Sequence, residues 1–257
     1  MAIFIKTTEE IKIMREGGRR HAKILRELAA LVAPGVSSQF LEDKAREFIK
    51  REGGTASFLD YKPYGMKKPF PAALCLSVND EVVHGVPNGP QTKILKESDI
   101  VSLDLGFTYK GLITDAALTV PVGTVSAATK KLLSKTEEAM YAGIKKAKAG
   151  STVGDIGFAV FAVGKKAGFG IVDILSGHGV GRYVHEDPYV PNFGEKGDGE
   201  VLVAGMTICI EPMFNMGTKD IILEKDGYTY RTADGKPSAH FEHTVLITEK
   251  GAEILTK

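Results

Sequence analysis

Five metal-ligating side chains stand along this chain in the order Asp104, Asp115, His178, Glu211 and Glu242. Four carboxylates and one imidazole suit two hard or borderline divalent ions placed side by side, with carboxylates bridging between them. Such a pair makes a hydroxide nucleophile at neutral pH and clamps a tetrahedral intermediate. The donor set therefore points to a metallohydrolase.

Each donor has a plainer reading when taken alone. Asp104 and Asp115 lie on two strand-like runs, DIVSLDLGF and LITDAALTV, joined by TYKG. A two-residue turn at Tyr109-Lys110 would set the aspartates directly opposite each other, with Cβ atoms roughly 4.5–5.5 Å apart. A bulge at Gly111 would shift that register by one. Bare carboxylates so placed repel, and a cation between them resolves the conflict. The pair alone also reads as two solvent-facing aspartates on an edge. Glu211 in ICIEPMF and Glu242 in HFEHTVLI sit within apolar strands. A glutamate there is costly unless paired, protonated or metal-bound. Either one alone reads as half of a buried ion pair; with the aspartates, metal ligation becomes the better account.

His178 and His185 share the segment SGHGVGRYVHEDP. Glycines on both sides of His178 let the backbone bend tightly and give the imidazole room. The spacing of the two histidines does not fit a single-face helical HExxH site. Alone, His178 reads as a loop residue, and so does His84 in VVHGVP. His21 and His243 read as structural. His240 lies two residues before Glu242 and so on the same strand face. It is not counted among the site residues.

These side chains need a scaffold, and the pattern around them supplies one. A helix starts at Thr7, with Glu10 completing a capping box. Ile11, Met14, Ile24, Leu25 and Leu28 give it an apolar face, Gly17-Gly18 weakens it, and Pro34-Gly35 stops it. A second helix starts at Ser37 or Ser38 and ends at Gly53-Gly54. Strand signals follow in ALCLSVN, VVHGV and the two aspartate runs. The second half repeats the plan, with helices over about 127–148 and 152–168. At one constant offset Gly35 aligns with Gly150, Ser37 with Thr152, Leu41 with Ile156, Ala45 with Val160 and Gly53 with Gly168. That offset implies two α-α-β halves, about 1–120 and 121–257, related by a pseudo-twofold and interdigitated in one domain, 1–257. Later strands are GMTICIEPMF, IILEK, YTYRT and AHFEHTVLIT. The fold class is α+β, with antiparallel strands curved over a shared site.

The bulk numbers fit that picture. With 257 residues and 43% hydrophobic content, the chain can bury a large core. Lys+Arg is 33 and Asp+Glu is 32, so charge gives no pointer to nucleic acid or a membrane surface. The first residues turn charged at once, without an apolar signal-peptide region, and no run approaches a membrane span. Cys75 and Cys209 make no disulfide framework and no CxxC pair. A reducing cytoplasm is the expected location.

In order, HGVP, SLDLG, TDAA, GHGVGRYVHEDP, ICIEPMF and HFEHTVLIT resemble type I, bacterial-type methionine aminopeptidases, which have the pita-bread fold. The resemblance runs from Thr7 to the end of the chain. It implies removal of N-terminal methionine from peptides and nascent proteins, with a small second residue preferred. It implies two divalent ions, from among Co, Mn, Fe, Zn and Ni. Asp104 would chelate one ion, His178 and Glu211 the other, and Asp115 and Glu242 would bridge. Glu211 would also be the general base, and His84 and His185 would handle substrate. Cys75, Tyr61, Tyr64 and Tyr228 would line the methionine pocket, beside a KPYGMKKPFPAA loop longer than is usual. The implied protein is a cytoplasmic monomer, transiently near the ribosome.

Four positions depart from the family pattern. Ala116 follows Asp115 where Thr or Ser is usual, and Thr114 precedes it in place of Gly. Gly106 replaces a polar side chain, and Val184 stands where phenylalanine is common. Ala116 puts a supporting hydrogen bond to Asp115 in doubt, and Val184 would open one pocket wall. Two other functions compete. An Xaa-Pro aminopeptidase of the same fold would carry an N-terminal domain that is not expected here. A metal-free pita-bread binding protein would have lost ligands, and all five are present with both histidines.

Overall fold

Glu10 donates its backbone N–H to Thr7 Oγ1 at 3.2 Å, and Thr7 N–H donates to Glu10 Oε2 at 2.8 Å. This capping box starts helix α1 (Thr8–Ala30) by satisfying two otherwise orphaned donors. The structure is a computed structural model and describes residues 2–62 and 68–257. α1 runs unbroken through Gly17-Gly18. A Cβ on Gly18 would stand 2.2 Å from the Leu255 carbonyl oxygen, so that glycine serves a close backbone approach. Helix α2 (Ser38–Arg51) starts at Ser37, whose hydroxyl accepts from Phe40 N–H at 3.1 Å.

Short β1 (Thr55–Ala56), β2 (Leu74–Val78) and β3 (Glu81–Val83) precede the long hairpin of β4 (Ile100–Tyr109) and β5 (Leu112–Pro121). Helices α3 (Ala127–Ile144) and α4 (Val153–Ala167) follow, the first shorter than expected. A second capping box, Thr152 with Asp155, starts α4, and left-handed Gly168 ends it. The rest of the chain is strands: β6 (Gly170–Ile171), β7 (Ser176–Gly179), β8 (Glu186–Pro191), β9 (Thr207–Ile210), β10 (Met213–Asn215), β11 (Ile221–Leu223), β12 (Tyr230–Thr232), β13 (Ser238–His240), β14 (Glu242–Ile247) and β15 (Ala252–Ile254). The main sheet has the order β1-β4-β5-β14-β9-β7-β8, with β2 also on β4 and β15 also on β14. Its ladders are antiparallel.

Strand alternation gives this sheet two different faces. Val101, Leu103, Leu105 and Phe107 of β4 pack with Ile24, Leu28, Leu41 and Phe48 of the first helix pair. Ile208 and Ile210 of β9, with Val245 and Ile247 of β14, pack with Leu132, Met140, Ile156 and Val160 of the second pair. Asp104, Cys209, Glu242 and Thr244 alternate with those residues and turn to the other face.

The β4–β5 register corrects one expectation. Tyr109 pairs with Leu112, so the turn is Lys110-Gly111, not Tyr109-Lys110. Both turn residues have positive φ, 48° and 82°, as a type I′ turn requires, and glycine meets the second at no steric cost. Asp104 therefore opposes Ala117, and Asp115 opposes Gly106. The aspartates are diagonal neighbours on one face, not a direct pair.

Two expected strands are each broken in two. GMTICIEPMF divides at Glu211-Pro212, where proline has no N–H for a ladder, and AHFEHTVLIT divides at Phe241. β10 and β13 leave the main sheet and pair with each other, and β10 also pairs with β6. Among the described residues, no helix is long and apolar enough to cross a membrane.

Candidate metal centre

Cys75, Asp104, Ala117 and Glu242 form one transverse row across β2, β4, β5 and β14. Asp115 lies two residues before Ala117, on the same face. Thr244 pairs with Cys209 one step along. His178 is in β7, not in a loop. Its flanking glycines are set by neighbouring backbone: a Cβ on Gly177 would stand 2.2 Å from Cys209 O, and one on Gly179 2.3 Å from Asp187 O. His178 Nδ1 lies 2.9 Å from the Gly179 carbonyl oxygen, which can only accept. Nδ1 therefore carries the proton, and Nε2 presents its lone pair to the site. That Nε2 is 3.4 Å from Glu211 Oε1.

The donor atoms converge. Asp115, His178, Cys209 and Glu242 each place one ligand atom within 4.8 Å of the others. Asp104 Oδ1, Asp115 Oδ1 and Glu242 Oε1 are buried and have no hydrogen-bond partner among the described residues. Burial raises all four carboxyls: Asp104 to about 6, and Asp115, Glu211 and Glu242 well above their usual range. For Asp115 the neighbours Glu242, Asp104 and Glu211 push further the same way. Burial pulls His178 down to about 3, so its ring is neutral, as a metal ligand must be. Orphaned buried acceptors beside a neutral imidazole are expensive without a cation. Hard oxygens with one nitrogen fit two divalent ions, which Asp104, Asp115, His178, Glu211 and Glu242 could hold.

The doubt over Ala116 is resolved by topology. Ala116 faces the helices, within the core around Leu105. The hydroxyl that supports Asp115 comes from Thr244, whose Oγ1 accepts from Asp115 N–H at 2.8 Å and donates to Asp115 O at 2.7 Å.

These residues border a cavity of about 440 Å³ that also takes in His84, His185, Tyr61, Cys75 and Tyr228. Tyr61 Oη lies 2.7 Å from His185 Nδ1. The His185 ring meets His178 edge-on, with centroids 4.4 Å apart. His84 has φ of 58°, a left-handed conformation that a non-glycine residue holds only when its surroundings impose it. Burial brings His84 down to about 4. Phe58, Phe70, Cys75 and Val184 make an apolar wall, with Tyr61 and Tyr228 against it. Tyr64 lies outside the described residues.

Two neighbours of the site were not read from the sequence as members. Cys209 joins the converging donors. His240 is buried, with Nε2 3.6 Å from Glu211 Oε2. The available signal for His240 was its strand periodicity with Glu242.

The description "metallopeptidase family M24" matches residues 12–249. The methionine aminopeptidase of Aquifex aeolicus is 45% identical over 261 residues, covering 100% of both chains. The crystal structure of methionine aminopeptidase from Thermotoga maritima superposes with a TM-score of 0.93 at 43% identity, covering 99% of each chain. Prolidase from Pyrococcus furiosus aligns at a TM-score of 0.78 and 26% identity, covering 98% of this chain and 65% of that one.

Proposed function

This chain belongs to metallopeptidase family M24, and on that premise we propose that it removes N-terminal methionine from peptides and nascent proteins, preferring a small second residue. It has the α+β pita-bread fold and is closely similar to bacterial type I methionine aminopeptidases. One observation carries the reading: Asp104, Asp115, His178, Glu211 and Glu242 share a cavity with His84 and His185, and its other wall is apolar.

Asp104, Asp115, His178, Glu211 and Glu242 would hold two divalent ions, which supply an acidified water and a polarised scissile carbonyl. Glu211 takes the proton of the attacking water and returns it to the leaving amine. With the Tyr61 hydroxyl donating to Nδ1, His185 keeps its proton on Nε2 and offers it to the developing oxyanion. His84 reaches the scissile amide nitrogen or the following residue. The methionine thioether packs on Phe58, Phe70, Cys75, Tyr61 and Tyr228, surfaces suited to sulfur–aromatic contact. The enzyme would work as a single-domain monomer in the cytoplasm, on chains emerging from the ribosome.

The test is a peptidase assay on Met-Ala-Ser, Met-Lys-Ser and Ala-Pro peptides, with Co, Mn, Fe, Zn and Ni supplied separately. Turnover of Met-Ala-Ser far above the other two is expected. Turnover of Ala-Pro without Met-Ala-Ser would make this an Xaa-Pro peptidase, and equal turnover of Met-Lys-Ser would remove the second-residue preference.

A further inference from the structure

His240 is 1% exposed, and among the described residues neither of its ring nitrogens has a hydrogen-bond partner. Its backbone is clamped. His240 N–H donates to Thr119 Oγ1 at 2.9 Å, and the Thr119 hydroxyl donates to His240 O at 2.7 Å. Thr119 has only that one proton to give, so Ser102 Oγ, 2.8 Å away, must donate to it. The clamp fixes where the imidazole starts, and the ring points at Glu211. Nε2 lies 3.6 Å from Glu211 Oε2, a few tenths of an ångström beyond hydrogen-bond length. The other oxygen, Oε1, faces His178 Nε2 at 3.4 Å. Two imidazoles thus bracket one carboxylate, one at each oxygen.

We propose that His240 is a positioning residue: its Nε2–H holds Oε2 of Glu211 and so fixes the carboxylate that moves the proton. This rests on the reading of Glu211 as general base. A carboxylate with one oxygen untethered can rotate about its terminal torsion, which is broad and poorly self-restrained. A proton-transferring group must hold hydrogen-bond geometry with the water it serves. His240 supplies that restraint from a backbone that cannot drift.

The atom that matters is Nε2, and this makes the test specific. In His240→Gln the amide nitrogen reaches about as far as Nε2 does. In His240→Asn it falls short, near the place of Nδ1. His240→Ala and His240→Asn are expected to keep wild-type bound metal and KM on Met-Ala-Ser while kcat falls about ten- to a hundredfold. His240→Gln is expected to recover kcat to within a few-fold. Loss of metal in His240→Asn would make His240 a ligand instead. Equal loss of kcat in the Gln and Asn variants would make it a packing residue, and unchanged kcat in His240→Asn would remove any role. If the alanine variant does not fold, the Gln and Asn pair still decides. Nitrogen-15 spectra of histidine-labelled protein separate this inference from the proposed function. The His240 Nε2 resonance, assigned by its absence in His240→Gln, should shift in Glu211→Gln. A protein inactive on Met-Ala-Ser with that shift intact would refute the function and support the contact. No shift would overturn the inference, whatever the activity.

Discussion

Asp104 and Glu242 stand two strands apart in one transverse row of the sheet, with only the methyl of Ala117 between them. Each cross-strand step spans roughly 4.5–5.5 Å between Cβ atoms, so the alanine leaves a gap lined by carboxylates. Ala117→Leu should fill that gap and lower metal affinity without removing a ligand. Its overpacking would also cost about 1–3 kcal/mol of stability. Ala117→Gly should bind metal as the wild type does. Calorimetric metal titration of both variants checks this, and undiminished affinity in Ala117→Leu would show that the gap is not where the ions sit.

The ligands and the substrate-handling histidines should separate by metal content. Asp115→Ala should lose activity and bind metal weakly. His178→Ala should lose metal affinity as well as rate, because it removes the imidazole whose Nε2 faces the site. His185→Ala should keep its metal while kcat falls on the order of 10²–10³, as for loss of one oxyanion donor. Metal analysis beside kcat decides, and an ion lost from His185→Ala would reverse the assignment.

Acid stability should carry a signature of His21. This fully buried ring, with Nδ1 3.0 Å from the Thr114 hydroxyl, is brought down to about 3, first by burial and then by His243. The unfolded chain binds its proton near the ordinary 6.5, the folded chain only near 3. Between those values the unfolded state holds more protons, so stability falls as pH drops below 6.5. His243 and His84 act in the same direction. His21→Gln should flatten the slope by up to one proton, about 1.4 kcal/mol per pH unit. Urea unfolding of the two proteins at pH 4.5, 5.5 and 6.5 measures it; parallel curves would show that His21 does not contribute.

Lys6 and Glu186 form an ion pair with side-chain exposures of 1% each. Glu186 also accepts from Arg182 N–H at 2.6 Å and Tyr183 N–H at 3.1 Å, in the turn just before His185. Lys6→Met would leave the carboxylate buried and short of its cation, and should cost about 3 kcal/mol. The double variant Lys6→Met/Glu186→Leu should recover part of that. Denaturant titration of the three proteins is the check, and a loss under about 0.5 kcal/mol would place the pair among inconsequential ones.

How much could be read in the chain follows from the range of the forces involved. The capping box at Thr7 and the starts of α1, α2, α3 and α4 depend on neighbours a few residues away, and they were legible. The order of the five donors was legible because a carboxylate in an apolar run calls for an explanation wherever it occurs. The β4–β5 register was not, since it hangs on which two residues take positive φ, and TYKG allows two choices. Pro212 marks the break at Glu211-Pro212 locally, but the move of β10 to the sheet of β13 and β6 depends on distant stretches of chain. β7 was missed because its glycines answer to Cys209 and Asp187 backbone brought close by folding. Thr244 was not read as a support of Asp115 for a similar reason: only the pairing of β14 beside β5 brings its hydroxyl to the Asp115 backbone.

β5 and β14 meet through two registered positions, Glu242 with Ala117 and His243 with Ala116. The strands of α1 and α2 lie on one side of that junction, and those of α3 and α4 on the other. Asp104 and Asp115 come from the first side, and His178, Glu211 and Glu242 from the second. Ions gripped by both would act as a removable cross-link between distant stretches of chain. Free metal then enters the folding equilibrium by mass action, adding about 2.7 kcal/mol at a hundredfold excess over the dissociation constant. A cell short of metal would hold an enzyme that is less active and also easier to unfold and degrade.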